Sequence, residues 1–269
     1  MSAALAAAAT LVALAFGAAT FERFLDRRAA GAGAPRSNAP ELAWSVSLGI
    51  FAIASAGLWT GASVGWNPAS FRVFYGFGAI VVVPVLALGT VYLLAGRRAG
   101  HITAVAVALL GAWSLGVMTT VGVDPAVRAY GTGDIPRGSE VLGALPRVLA
   151  AVASGLGATV LLAGAVVSAV RLARRRTTRR LALANALIAL GTLILSAGGL
   201  FNSALGEMDA FSLSLVAGIG VMFAGFLLTS PSTSAAATGE TRQPEPQQPD
   251  THAAAPLPGA NIVSIRRSS

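Results

Sequence analysis

The chain contains no cysteine and no lysine, and only two histidines. Without cysteine there are no disulfides, no thiolate metal ligands and no thiol nucleophile. Without lysine a retinal Schiff base is impossible, because it needs a lysine amine; no cofactor is expected. His101 and His252 stand far apart, so no histidine metal cluster is expected. The HExxH and phosphate-cradling GxxxxGK[ST] signatures are missing. Charge is scarce too: 11% of residues carry one, against about 25% in ordinary soluble domains. With 55% hydrophobic residues and a mean hydropathy of +0.71, a globule would have too little polar surface to face water. The surface must face lipid.

What is abundant is long apolar sequence. A spanning helix needs roughly 20 apolar residues to cross about 30 Å of hydrocarbon. Seven stretches qualify, at about 2–20, 42–64, 73–95, 102–121, 148–170, 181–201 and 210–229. None shows the alternation of barrel strands, so an all-α, seven-helix polytopic bundle is expected over residues 1–229. From 230 the sequence turns to Pro, Gln, Ser and Thr, which reads as a disordered cytoplasmic tail through 269.

Arginines set the orientation, since positive loops stay cytoplasmic. Connections after the first, third and fifth stretches carry twelve: Arg23, Arg27, Arg28, Arg36, Arg97, Arg98, Arg171, Arg174, Arg175, Arg176, Arg179 and Arg180. Those after the second, fourth and sixth carry four: Arg72, Arg128, Arg137 and Arg147. The N-terminus is therefore expected outside and the C-terminus in the cytoplasm, in the plasma (inner) membrane. The first stretch lacks the basic n-region of a signal peptide and reads as an uncleaved helix. The densest basic run, "RLARRRTTRR" at 171–180, falls between two spans. Its expected polyanion is the headgroup layer of anionic inner-leaflet lipids rather than nucleic acid.

Several motifs have a packing reading beside a functional one. Gly57, Gly61 and Gly65 form a small-xxx-small face that serves packing within the bundle or a homodimer. Ala150, Ser154 and Ala158 form a similar face. Pro84 cannot donate toward Ile80 and should kink its helix. With Thr90, Asn185 and Ser196 it makes a candidate intramembrane cavity. "YGTGD" at 130–134 contains a GxGD pattern, but Asp134 lies in a polar loop and the segment reads as a turn. Asp124 before Pro125 predicts a capped short helix. Arg72, Asp124, Arg147, Asn202, Glu207 and Asp209 form a candidate polar cluster at the outer face. No acid, arginine or histidine falls near a midplane, which argues against a proton-driven pump.

"ALGT" at 87–90 and 189–192 hints at three-helix repeats on four residues only. The runs "FRVFYGFGAIVVVPVLALGTVYLL", "LGALPRVLAAVASG" and "GEMDAFSLSLVAGIGVMFAGFLL" resemble multi-pass membrane proteins of actinobacteria with no assigned activity. That resemblance covers about residues 42–229 and implies no activity for this chain. The expected role is non-enzymatic: binding or passing a small or lipid-like molecule, or assisting a membrane complex. The alternative is an enzyme at the outer face using Asp124, Glu207 and Asp209.

Overall fold

The computed structural model describes residues 2–29, 38–132, 134–174, 179–205 and 208–228, with backbone alone at 2, 169, 172–174, 179, 181–182, 196–205 and 208–209. Every regular element among them is helical: α1 (Ser2–Ala29), α2 (Ala39–Val64), α3 (Pro68–Val73), a π-helix (Phe74–Val81), α4 (Val82–Thr120), a 3-10 turn (Pro125–Ala129), α5 (Gly138–Val141), α6 (Ala144–Arg174), α7 (Arg179–Leu205) and α8 (Met208–Leu228). The tail expected from 230 onward lies outside the described residues.

Five of these stretches are long and apolar enough to cross a membrane: Ala3–Ala29, Ala39–Val64, Pro68–Thr120, Ala144–Ser168 and Ala210–Leu228. A shorter apolar helix, Leu183–Leu195, lies in α7. The protein is thus an all-α, multi-pass membrane protein. Pro68–Thr120 contains two of the stretches expected from sequence. It is broken at Gly96, whose φ of 84° and ψ of −177° leave the helical region. Beyond that break, Met118 packs on Gly76 and Gly111 on Val81, so the second part of α4 folds back along the π-helix.

The local sequence explains the other boundaries. α2 ends at Gly65, whose φ of 102° suits a residue without Cβ. α3 begins in a capping box: the Asn67 side chain accepts from the Ala69 and Ser70 amides at 2.9 Å, and Ser70 accepts from the Asn67 amide. Pro68 takes the first helical position, where its missing N–H costs nothing.

The helices form a closed ring in which α1 touches α2, α2 touches the π-helix and α4, α4 touches α6, α6 touches α7, α7 touches α8, and α8 returns to α1. On α1, Ala6, Ala9, Ala13, Phe16 and Thr20 are buried at helical spacing. Phe16 stacks on Phe223 and lies against Phe226, with ring centroids 5.2 and 5.0 Å apart. Outward, Leu11, Leu14, Ile102, Val105, Leu109, Trp113, Leu156 and Val166 are exposed, the apolar coat that lipid contact demands.

Glycine sets the closest approaches. A Cβ on Gly191 would sit 2.6 Å from the Gly218 carbonyl, and one on Gly225 would sit 2.8 Å from that of Ala184. Both pairs are spaced seven residues along their helices, so α7 and α8 meet backbone to backbone in one antiparallel register. Gly57 and Gly61 are spent inside the chain in the same way. Gly57 faces the backbone of Ser70 and Phe74, and Gly61 lies flat under the Trp66 indole. The face they share is therefore occupied by α3 and Trp66.

Candidate functional site at the loop end

The connection between α4 and α6 caps one end of the bundle, called here the loop end. Its apolar residues point inward: Val127, Ile135, Val141 and Leu142 are buried in one core with Leu58, Trp66, Phe71 and Leu149. Trp66 Nε1 donates to the Asp134 carbonyl at 2.5 Å, fastening the connection to the end of α2. Trp66 also meets Phe71 and Phe74, which continue into Tyr75 and Phe211 as a chain of ring contacts. Tyr75 lies against Gly138 so closely that a Cβ there would be 2.7 Å from its ring.

The connection borders a shallow, open groove of about 440 Å³ lined by Gly122, Val123, Asp124, Pro125, Glu140, Val141, Leu142 and Gly143. Its two sides are joined by the Asp124 amide, which donates to the Val141 carbonyl at 3.0 Å. Asp124 caps the 3-10 turn by accepting from the Ala126 amide at 2.8 Å, as the Asp-Pro pair predicts. Glu140 accepts from the Tyr130 hydroxyl and pairs with Arg137 at 3.6 Å. Both acids are exposed on the groove. Asp134 sits in a turn, its amide donating to the Gly131 carbonyl at 3.2 Å.

The other outer-face candidates are placed differently. Arg72 is half-buried, and its Nη2 donates to the Val121 carbonyl at 3.0 Å, satisfying an orphan acceptor at the end of α4. Its Nε is buried without a partner. Arg147 is exposed near the start of α6. Glu207 lies outside the described residues, and so do the side chains of Asn202 and Asp209. The described residues therefore place Arg72 on a helix end rather than on an acid.

Near Pro84 the described space is small. The void lined by Ile80, Val81, Pro84, Val107, Leu110 and Gly111 is about 150 Å³ and nowhere wide enough for a water molecule. α6 closes on this region through glycines: Gly157 packs on Val83 and Pro84, and Gly164 on Thr90. Thr90 and Asn185 are half-buried; the Ser196 side chain is among those not described. The basic run straddles α6 and α7. Arg171 and Arg180 are exposed, Arg174 and Arg179 lie on helix backbone, and Arg175 and Arg176 fall outside the described residues.

At the opposite end sequence reasoning missed a charged junction. The Arg23 guanidinium lies 3.4 Å above the Phe226 ring and donates to the Phe226 carbonyl at 3.0 Å. One turn on, Arg27 pairs with Glu41 of α2 at 2.5 Å. Glu41 is buried, with Oε2 unpartnered. Three helices thus meet through one carboxylate and two arginines. The single available signal was an acid at the start of an apolar stretch, opposite arginines ending the previous one.

Among the described residues no group of three or more His, Cys, Asp or Glu is placed to hold a metal ion. Comparison with protein-family models, with curated proteins and with solved structures returned no match.

Proposed function

We propose that the protein is a non-enzymatic membrane component that works by binding at its loop end, not by passing a molecule through its centre. In this reading the chain spans the plasma membrane seven times: Gly96 divides Pro68–Thr120 into two spans, and α7 supplies another. The loop end faces outside and the basic end faces the cytoplasm. The observation that supports binding over passage is the contrast between the two spaces. The groove is open to its surroundings and holds about 440 Å³, whereas the void at Pro84 admits no water. The enzymatic alternative draws no support from Asp124, whose Oδ1 is spent on a helix cap.

A photo-crosslinking residue tests the proposal. Placed in cells at Gly143, exposed in the groove wall, it is expected to trap one discrete adduct. At Val105, exposed on α4, it is expected to trap lipid alone. Identical adducts at both positions would sink the binding reading. Solute flux in proteoliposomes above that of empty vesicles would restore transport.

A further inference from the structure

The π-helix Phe74–Val81 is eight residues long, whereas π geometry ordinarily appears as a single-turn bulge, often at functional sites. Its wide turns are visible at its end, where the Val82 amide donates to Phe77, five residues back. Two carbonyls in and beside it accept from neighbouring helices instead of pairing only within the ladder. Ser154 of α6 donates to the Ala79 carbonyl at 2.6 Å, and Ser47 of α2 donates to the Val82 carbonyl at 2.9 Å. The 150 Å³ void lies against Ile80 and Val81, on the side toward the returning part of α4. At its other end the segment continues into Phe74, Tyr75 and Arg72, the side chains that hold the loop end.

We propose that Phe74–Val81 is a two-register element, held in the π register by the Ser47 and Ser154 hydroxyls and able to rewind as α-helix when they release. Rewinding by one residue turns the preceding helix by about 100° and shifts it by about 1.5 Å. Ile80 and Val81 then exchange their present contacts with Val107, Leu110 and Gly111 for new ones. Phe74 and Tyr75 leave their places under Trp66 and Gly138, Arg72 leaves the Val121 carbonyl, and the α4–α6 connection loosens. The hydroxyls act as positioning groups: they choose a register and perform no chemistry. Packed elements with two discrete arrangements are the usual carriers of such coupling. The inference does not depend on what the groove binds.

The absence of cysteine makes the test clean. A reporter Val127→Cys, buried in the connection, is expected to react slowly with a membrane-impermeant maleimide. In Ser47→Ala/Ser154→Ala the rate is expected to rise about tenfold, the scale set by two interhelical hydrogen bonds. Ser47→Thr/Ser154→Thr keeps the hydroxyls and should stay slow. Deleting Gly78 removes the extra residue and should give fast labelling with both serines present. Slow labelling in the alanine pair or the deletion, with the protein still monodisperse, overturns the proposal. Hydrogen exchange on the unmodified protein decides the matter if those variants fail to fold. Amides 77–83 should exchange faster than those at the centres of α2 and α6, and equal protection overturns it.

Discussion

At the residue scale, glycine decides how closely this protein packs, and two glycines of α2 show that position matters more than type. A Cβ on Gly61 would sit 2.5 Å from the Trp66 ring, while one on Gly49 meets nothing within 4 Å. Gly61→Ala must push the indole off its donor bond to Asp134. It should cost about 1–3 kcal/mol, as overpacking does. Gly49→Ala should be neutral or stabilise by about 0.5–1 kcal/mol through backbone entropy. Thermal melting of both variants in one detergent checks the pair; equal melting temperatures would mean that Trp66 does not need its flat bed. Sequence showed the Gly57–Gly61–Gly65 face but not its occupant, because a small face is equally good against any helix. The Gly191–Gly218 and Ala184–Gly225 seam passed unnoticed for a related reason. Its spacing is seven rather than four, and only the antiparallel partner reveals it.

At the element scale, helix ends are where unpaired carbonyls need donors, and arginines from distant sequence supply them. Arg72 serves α4 at Val121, and Arg23 serves α8 at Phe226. Arg23→Gln removes the charge above the Phe226 ring and should destabilise the bundle by about 0.5–2 kcal/mol. Arg23→Lys should recover only part of that, since a point ammonium lacks the planar face that stacks on the ring. Melting of the two variants beside the parent chain is the measurement; full recovery by lysine would reduce the contact to simple charge. Helix existence was legible from hydropathy, and the Asp124-Pro125 cap was legible from the residue pair itself. The π-helix was not. Pro84 announced a disturbance at the Ile80 carbonyl, but Ser154 and Ser47 donate to the carbonyls of Ala79 and Val82, and nothing local in "AWSVSLG" or "AVASGLG" marks those serines as partners.

At the scale of the whole molecule, charge asymmetry sets orientation and ring closure sets integrity. A reporter fused to the C-terminus should score cytoplasmic, and an external signal would reverse the proposed topology. Replacing the six arginines of 171–180 with glutamine should produce a mixed or inverted population, read by the same reporter, because that run holds half of the twelve arginines assigned to the inside. If the orientation is unchanged and only retention on nucleic acid is lost, the run is a binding surface after all. Removing α1 should unfold the bundle rather than mature it, since Phe16 and the alanines beside it fill the core between α2 and α8. The check is whether a chain starting near Asn38 remains monodisperse in detergent.

Composition and hydropathy alone determined that this chain is helical and lives in a membrane, because an unpaired backbone in hydrocarbon has no cheaper remedy than a helix. They also excluded retinal and thiol chemistry, since the chain has neither lysine nor cysteine. Which helices touch, where space remains and which hydroxyl reaches which carbonyl were decided only by tertiary structure. In lipid every apolar face is equally content against a neighbour or a solvent chain, so hydropathy carries no information about partners. Close approach at glycine and a few hydrogen bonds make that choice. They put the groove at the loop end and close α6 over Pro84 and Thr90 through Gly157 and Gly164.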